Sequence, residues 1–197
     1  MRTESADSKG KQQDGDLLMT YYLSSRDSYV GFRPDVSGSK SEAGNMLMVM
    51  DEKKGDNYIF MNLDGRKIVK KMPADRRKDN IGGKKEMNYK ITKIGTKTIL
   101  GYHCQGYRME TEDGVLTTYI AKNAPVAFKN AYGSDPNSRP KGFDPRWLKE
   151  FENGLMMEMD FKSSKKDKYD FKTTCVGLDK ENLSINAGDY STSFFGR

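Results

Sequence analysis

KTILGYHCQGYRMETEDGVLTTYIAK, residues Lys97 to Lys122, reads as two strands around a turn. Ile99 to Glu110 and Val115 to Lys122 are rich in β-branched and aromatic residues, and TEDG between them supplies the turn, so an antiparallel hairpin is expected. The chain's one histidine, His103, stands beside Cys104 in this stretch. Neighbours on a strand point to opposite faces, so the two cannot act together. A cysteine nucleophile needs a histidine within hydrogen-bond reach. Cys175 with His103 stays geometrically open, but no pattern supports it.

Toward the N-terminus the same period continues. Leu17, Met19, Tyr21 and Leu23 alternate along one strand, and Tyr29 to Phe32 returns after a turn at Ser24 to Asp27. Met46, Met48 and Met50 alternate against Leu47 and Val49; DEKKGD then turns the chain into Tyr58 to Leu63. Asp64-Gly65 is a two-residue hairpin signal, followed by a basic strand from Arg66 to Met72 that Pro73 ends. Residues 74 to 86 read as a loop. Met87, Tyr89 and Ile91 resume the alternation before a turn-like KIGTKT. The first 15 residues are small and polar and are expected to be disordered, leaving a single domain over 16–197.

Toward the C-terminus FDPRWLKEFENG predicts the one well-specified helix. Asp144 suits the N-cap, Pro145 the first turn and Gly154 the stop, with Trp147, Leu148 and Phe151 on its buried face. Leu155, Met157, Met159 and Phe161 then share one strand face, and Tyr169, Phe171, Thr173 and Cys175 share the next. Leu183 to Ile185 is expected to add a short last strand. The sum is a mainly β (α+β) chain: a curved antiparallel sheet or half-open barrel of about nine or ten strands with at least one helix.

The chain has 197 residues, 35% of them hydrophobic and 31% charged, with 11% aromatic, a composition that folds as one domain. No window approaches the roughly 18 apolar residues of a membrane helix, and the start lacks a leader's apolar core. This fits either a cytosolic chain or a mature domain trimmed of its leader. One histidine and two isolated cysteines give no metal-ligand spacing, and no glycine pattern after a strand resembles a phosphate cradle. We therefore expect no cofactor, no metal and no catalysis.

Arg66 to Lys85 holds nine basic and two acidic residues. Its members Arg66, Lys67, Lys70, Lys71, Arg76, Arg77 and Lys78 would meet an anionic membrane surface, or simply form a solvated strand edge. The run contains no aromatic residue, which argues against nucleic acid. Twelve methionines, clustered at Met46 to Met50 and Met156 to Met159, fit either ordinary core packing or a pliable surface for apolar ligands.

Thr96, Lys97, Ile99, Gly101, Tyr102, Cys104 and Tyr107 form a pattern that resembles a domain-of-unknown-function family of Gram-negative envelope proteins. YYLSSRDSYVGF, MLMVMDEKKGDNYIFMNLDGRK and AGDY at Ala187 to Tyr190 extend the likeness. Such proteins look like relatives of the LolA and LolB lipoprotein carriers, whose curved sheet half-encloses a hydrophobic cavity. The resemblance implies residence in the periplasm or at the outer membrane, and a lipid or acylated protein as partner. In that compartment Cys104 and Cys175 would be permitted to bond, closing a loop worth roughly 4 kcal/mol, or each would be a small buried hydrophobe. The expected lining of the concave face is Tyr21, Met48, Phe60, Met87, Tyr89, Tyr107, Trp147, Met157 and Phe161, subject to a one-residue error of register. The alternative is an envelope interaction domain with a filled core and no ligand.

Overall fold

The computed structural model describes residues 1–7, 17–24, 29–35, 46–51, 53–54, 56–73, 90–111, 114–127, 154–164 and 170–192. Eleven strands run through them: β1 (Arg2–Asp7), β2 (Leu17–Leu23), β3 (Tyr29–Asp35), β4 (Met46–Asp51), β5 (Asp56–Leu63), β6 (Arg66–Pro73), β7 (Lys90–Ile99), β8 (Tyr102–Thr111), β9 (Gly114–Ala121), β10 (Leu155–Ser163) and β11 (Phe171–Gly177). Turn chemistry sets two of the hairpins. Asp64 and Gly65 have φ of 49° and 79°, and Leu100 and Gly101 repeat those values, the mirror-image turn whose twist matches paired strands. Asp51 closes a third hairpin, its carboxylate accepting the backbone N–H groups of Lys53 and Lys54 at 3.1 Å each.

All ladders are antiparallel, and the strands form one sheet in the order β6-β5-β4-β3-β2-β1-β11-β10-β9-β8-β7. β1 is the central strand. From it β2 to β6 step outward on one side; β7 starts at the far edge and the chain steps back through β11 to β1 on the other. Among the described residues β6 and β7 do not pair, so the sheet is open. Eleven twisted strands rarely stay flat, because each is rotated by roughly 20–25° from the last.

The polar N-terminus is not disordered throughout, since Arg2–Asp7 is β1; residues 8–15 lie outside the described ones. Backbone pairing explains it: β1 has a ladder on each side, with β2 and with β11, and needs no apolar alternation of its own. KIGTKT is not a turn but the body of β7, which absorbs Gly95 as an irregularity in its pairing between Ile94 and Thr96. Ile99 to Glu110 is not one strand, because the Leu100-Gly101 turn divides it. Leu183 to Ile185 forms no strand. The helix expected over FDPRWLKEFENG lies outside the described residues but for Gly154; among the described residues the only helical element is a 3-10 turn at Ala187–Asp189.

A core cluster gathers Ile99, Cys104, Ala121, Leu155, Met157 and Cys175, with Tyr21, Leu23, Tyr102 and Leu178 packed against it. Both cysteines are free thiols. Cys104 and Cys175 are buried in this one cluster and, as free thiols, form no bridge with each other.

The chain then leaves β11 and crosses to the other edge of the sheet. Ser191 makes a parallel bridge with Ile68 on β6, its N–H donating to the Lys67 carbonyl at 2.9 Å and its carbonyl accepting from Val69 N–H at 2.8 Å. Tyr190 stands edge-on to Phe60, ring centroids 4.9 Å apart, under the Lys67 ammonium. Residues 178–191 are therefore a strap that starts beside β1 and ends on the outer side of β6.

Candidate functional site

In an antiparallel sheet, residues directly opposite one another share a face. On the β2–β6 side one row runs Tyr21, Phe32, Met48, Ile59, Lys70. A second runs Leu23, Val30, Met50, Asn57, Met72, and a third pairs Met46 with Met61 and Ile68. On the β7–β11 side Lys93, Tyr107, Thr118, Met159 and Thr173 form one row, and Ile91, Met109, Leu116, Phe161 and Phe171 the next. Pairing through β1 joins the halves, since Thr3 opposes both Met19 and Cys175. Met19, Met46, Met48, Met50, Met61, Met72, Met109, Met156 and Met159 consequently stand on a single face.

That face is apolar and only half buried. Met46, Met48, Met50, Phe32, Ile59, Met61, Met109, Leu116 and Phe161 all keep part of their surface in solvent. The described basic residues on it are Arg66 and Lys70 on β6 and Lys93 on β7, all on the sheet's two edge strands, while Asp7, opposite Phe171, takes the same face's register on the central strand.

The opposite face carries the ion pairs. Glu158, 8% exposed, accepts from Lys97 Nζ at 2.6 and 2.8 Å and has Lys172 Nζ at 3.5 Å, while the Lys97 ammonium sits 5.2 Å from the Tyr119 ring centre. Lys71 bridges Asp56 at 2.8 Å, which holds the Asp56 carboxyl below its ordinary range and the Lys71 ammonium above its own. Gly106 leaves room for Tyr119, because a Cβ there would meet Tyr119 Cε1 at 2.9 Å and the Gly95 carbonyl at 2.7 Å. An open cleft of about 1120 Å³ lies between the strap residues Leu178 to Ser184 and the ends of β2 and β3. Its walls mix Tyr22, Tyr29 and Tyr102 with Arg33, Asp179 and Glu181, unlike the uniform methionine face.

Of the expected lining residues, Tyr21, Met48, Tyr107 and Phe161 do share the methionine face. Phe60 does not: it opposes Leu47 and Val69 on the other face, under Tyr190. Met157, 1% exposed, is buried in the core cluster beside a register shift in β10 and lines no open surface. Met87, Tyr89 and Trp147 lie outside the described residues. Tyr21 also borders the cleft, and burial raises its phenol above the ordinary value. Among the expected anion contacts, alternation on β6 divides Arg66 and Lys70 from Lys67 and Lys71, so they form no single positive face; Arg76, Arg77 and Lys78 lie outside the described residues. His103 is exposed and Cys104 fully buried on the other side of β8, with its thiol raised by burial. Among the described residues no group of histidine, cysteine and carboxylate side chains is placed to hold a metal ion.

A family model described as "Domain of unknown function (DUF4412)" matches residues 7–186. The chain belongs to this family. No curated protein matches it. Two solved structures of PNGF-II, in the P21 and C2 space groups, match at TM-scores of 0.46 and 0.45, with 8% and 10% sequence identity over 97% and 96% of this chain. The chain spans only 30% and 29% of those structures. No helix among the described residues is long and apolar enough to cross a membrane.

Proposed function

We propose that this DUF4412 domain is a non-catalytic binding domain of the cell envelope that holds a lipid or acyl chain on its methionine face, as a lipid or lipoprotein carrier does. The observation that supports it is the segregation of nine methionines to one half-buried face while the strand-to-strand ion pairs keep to the other. Methionine's unbranched, polarisable chain adapts to ligands of varied shape. Curling of the eleven-stranded sheet toward that face would make it the inside of a LolA-like half-barrel. Burying an acyl chain at about 25 cal/mol per Å² supplies several kcal/mol before ordering costs, enough for micromolar binding without any polar anchor.

One observation favours the rival reading, an interaction domain with a filled core. Tyr107, Thr118 and Ile120 on the same face are already 1–2% exposed, so the part over β8 and β9 is covered. The test is native mass spectrometry with lipid extraction on protein made in the periplasm of a Gram-negative host. A near-stoichiometric lipid on the wild type, lost in Met48→Glu, is the expected result. A bare mass that stays bare after incubation with phospholipids and acylated peptides would favour the filled core.

A further inference from the structure

The two middle rows of the methionine face end alike. Tyr21, Phe32, Met48 and Ile59 lead outward to Lys70 on β6, and Thr173, Met159, Thr118 and Tyr107 lead the other way to Lys93 on β7. Both lysines are exposed, and among the described residues the ion pairs employ Lys71 and Lys97 of the same two strands but neither Lys70 nor Lys93. Arg66 stands two places from Lys70 on the same face. Among the described residues the one carboxylate in that face's register is Asp7, opposite Phe171 on the central strand β1 and five strands from either edge lysine, whereas on the polar face Lys71, Lys97, Lys162 and Lys172 all have a carboxylate within 4 Å.

From this we infer, on the footing of the binding reading above, that the ligand is an anionic amphiphile whose chain lies across the strands and whose acidic head is held at an edge lysine. The distances suit it: β2 to β6 is about 19 Å at the spacing of paired strands, a run long enough for an extended acyl chain. A lysine at the end of an apolar row lays its methylene stem along the row and presents its ammonium at the rim. Once the chain covers the apolar floor, the local dielectric falls and an ammonium contact to a carboxylate or phosphate strengthens. A neutral head at the same place gains nothing from it.

Isothermal titration with laurate, dodecyl phosphate and 1-dodecanol tests the idea, since the three share a chain and differ in head. The wild type is expected to bind at least one of the anions about tenfold more tightly than the alcohol, and the comparison of the two anions tells a carboxylate head from a phosphate one. Lys70→Gln with Lys93→Gln should bring that anion down to the alcohol's affinity without altering the alcohol; each single variant then shows which edge holds the head. Lys162→Gln on the polar face should change nothing, and circular dichroism checks that each variant is folded. Equal affinity for all three ligands overturns the head-group inference while the apolar reading stands. So does a folded double variant that binds the preferred anion as the wild type does. Binding of none overturns both.

Discussion

Leu100 shows how a single residue can be at odds with the backbone it occupies. It is a leucine at φ 49° in a two-residue turn, 46% exposed, where asparagine or aspartate is the usual first residue. Leu100→Asn should therefore stabilise the domain by about 0.5–1 kcal/mol, read as a rise in the urea midpoint; an unchanged or lower midpoint would contradict the assigned turn. Cys104 and Cys175 make a different kind of prediction. Burial raises both thiols, so alkylation of the folded chain should be slow at neutral pH, yet unfolding without reductant should expose two reactive groups by intact mass. An unlabelled unfolded chain would mean they are bonded. The unfolded chain gives up these thiol protons first, so their contribution to stability is whole below the ordinary thiol value. It declines as pH rises from that value toward the raised one.

At the scale of elements, alternation of side chains was legible, and so β2, β4, β5, β6 and β10 stand within a residue or two of where the sequence puts them. β1 and the strap were not, because both are held by backbone groups that side-chain patterns do not report. β1 is pinned by ladders on both sides, and Ser191 by two hydrogen bonds to β6. Tyr190, the tyrosine of AGDY, supplies the strap's ring contact with Phe60. Removing that contact with Tyr190→Ala should release the strap locally. Amide exchange at Ser191 and Val69 is expected to quicken by tenfold or more, with the ladder between β8 and β9 unaffected and the global unfolding free energy lower by about 1 kcal/mol. Unchanged exchange at both amides would show that the strap holds without its tyrosine.

For the whole molecule, the methionine face arises only when the ten registers between eleven strands agree. Met46, Met48 and Met50 announce one strand's preference, but Met19, Met61, Met109 and Met159 join them through pairings that no single strand contains. That is why Phe60, one residue out of phase with Ile59, was misplaced while Tyr21 and Met48 were not. The same geometry makes oxidation a reporter of the whole face. Peroxide turns an accessible methionine into a polar sulfoxide and leaves a buried one alone. Peptide mapping after brief oxidation should find Met46, Met48 and Met50 modified well before Met157, which is 1% exposed. Prior saturation with laurate should slow the first three, because a chain lying over the face shields their sulfurs, and should leave Met157 as it was. Oxidised protein should in turn bind laurate weakly, since several polar sulfoxides now line the surface the chain must cover. Rapid oxidation of Met157 would place it outside the core, and Met48 reacting equally fast with and without laurate would place the ligand elsewhere on the sheet.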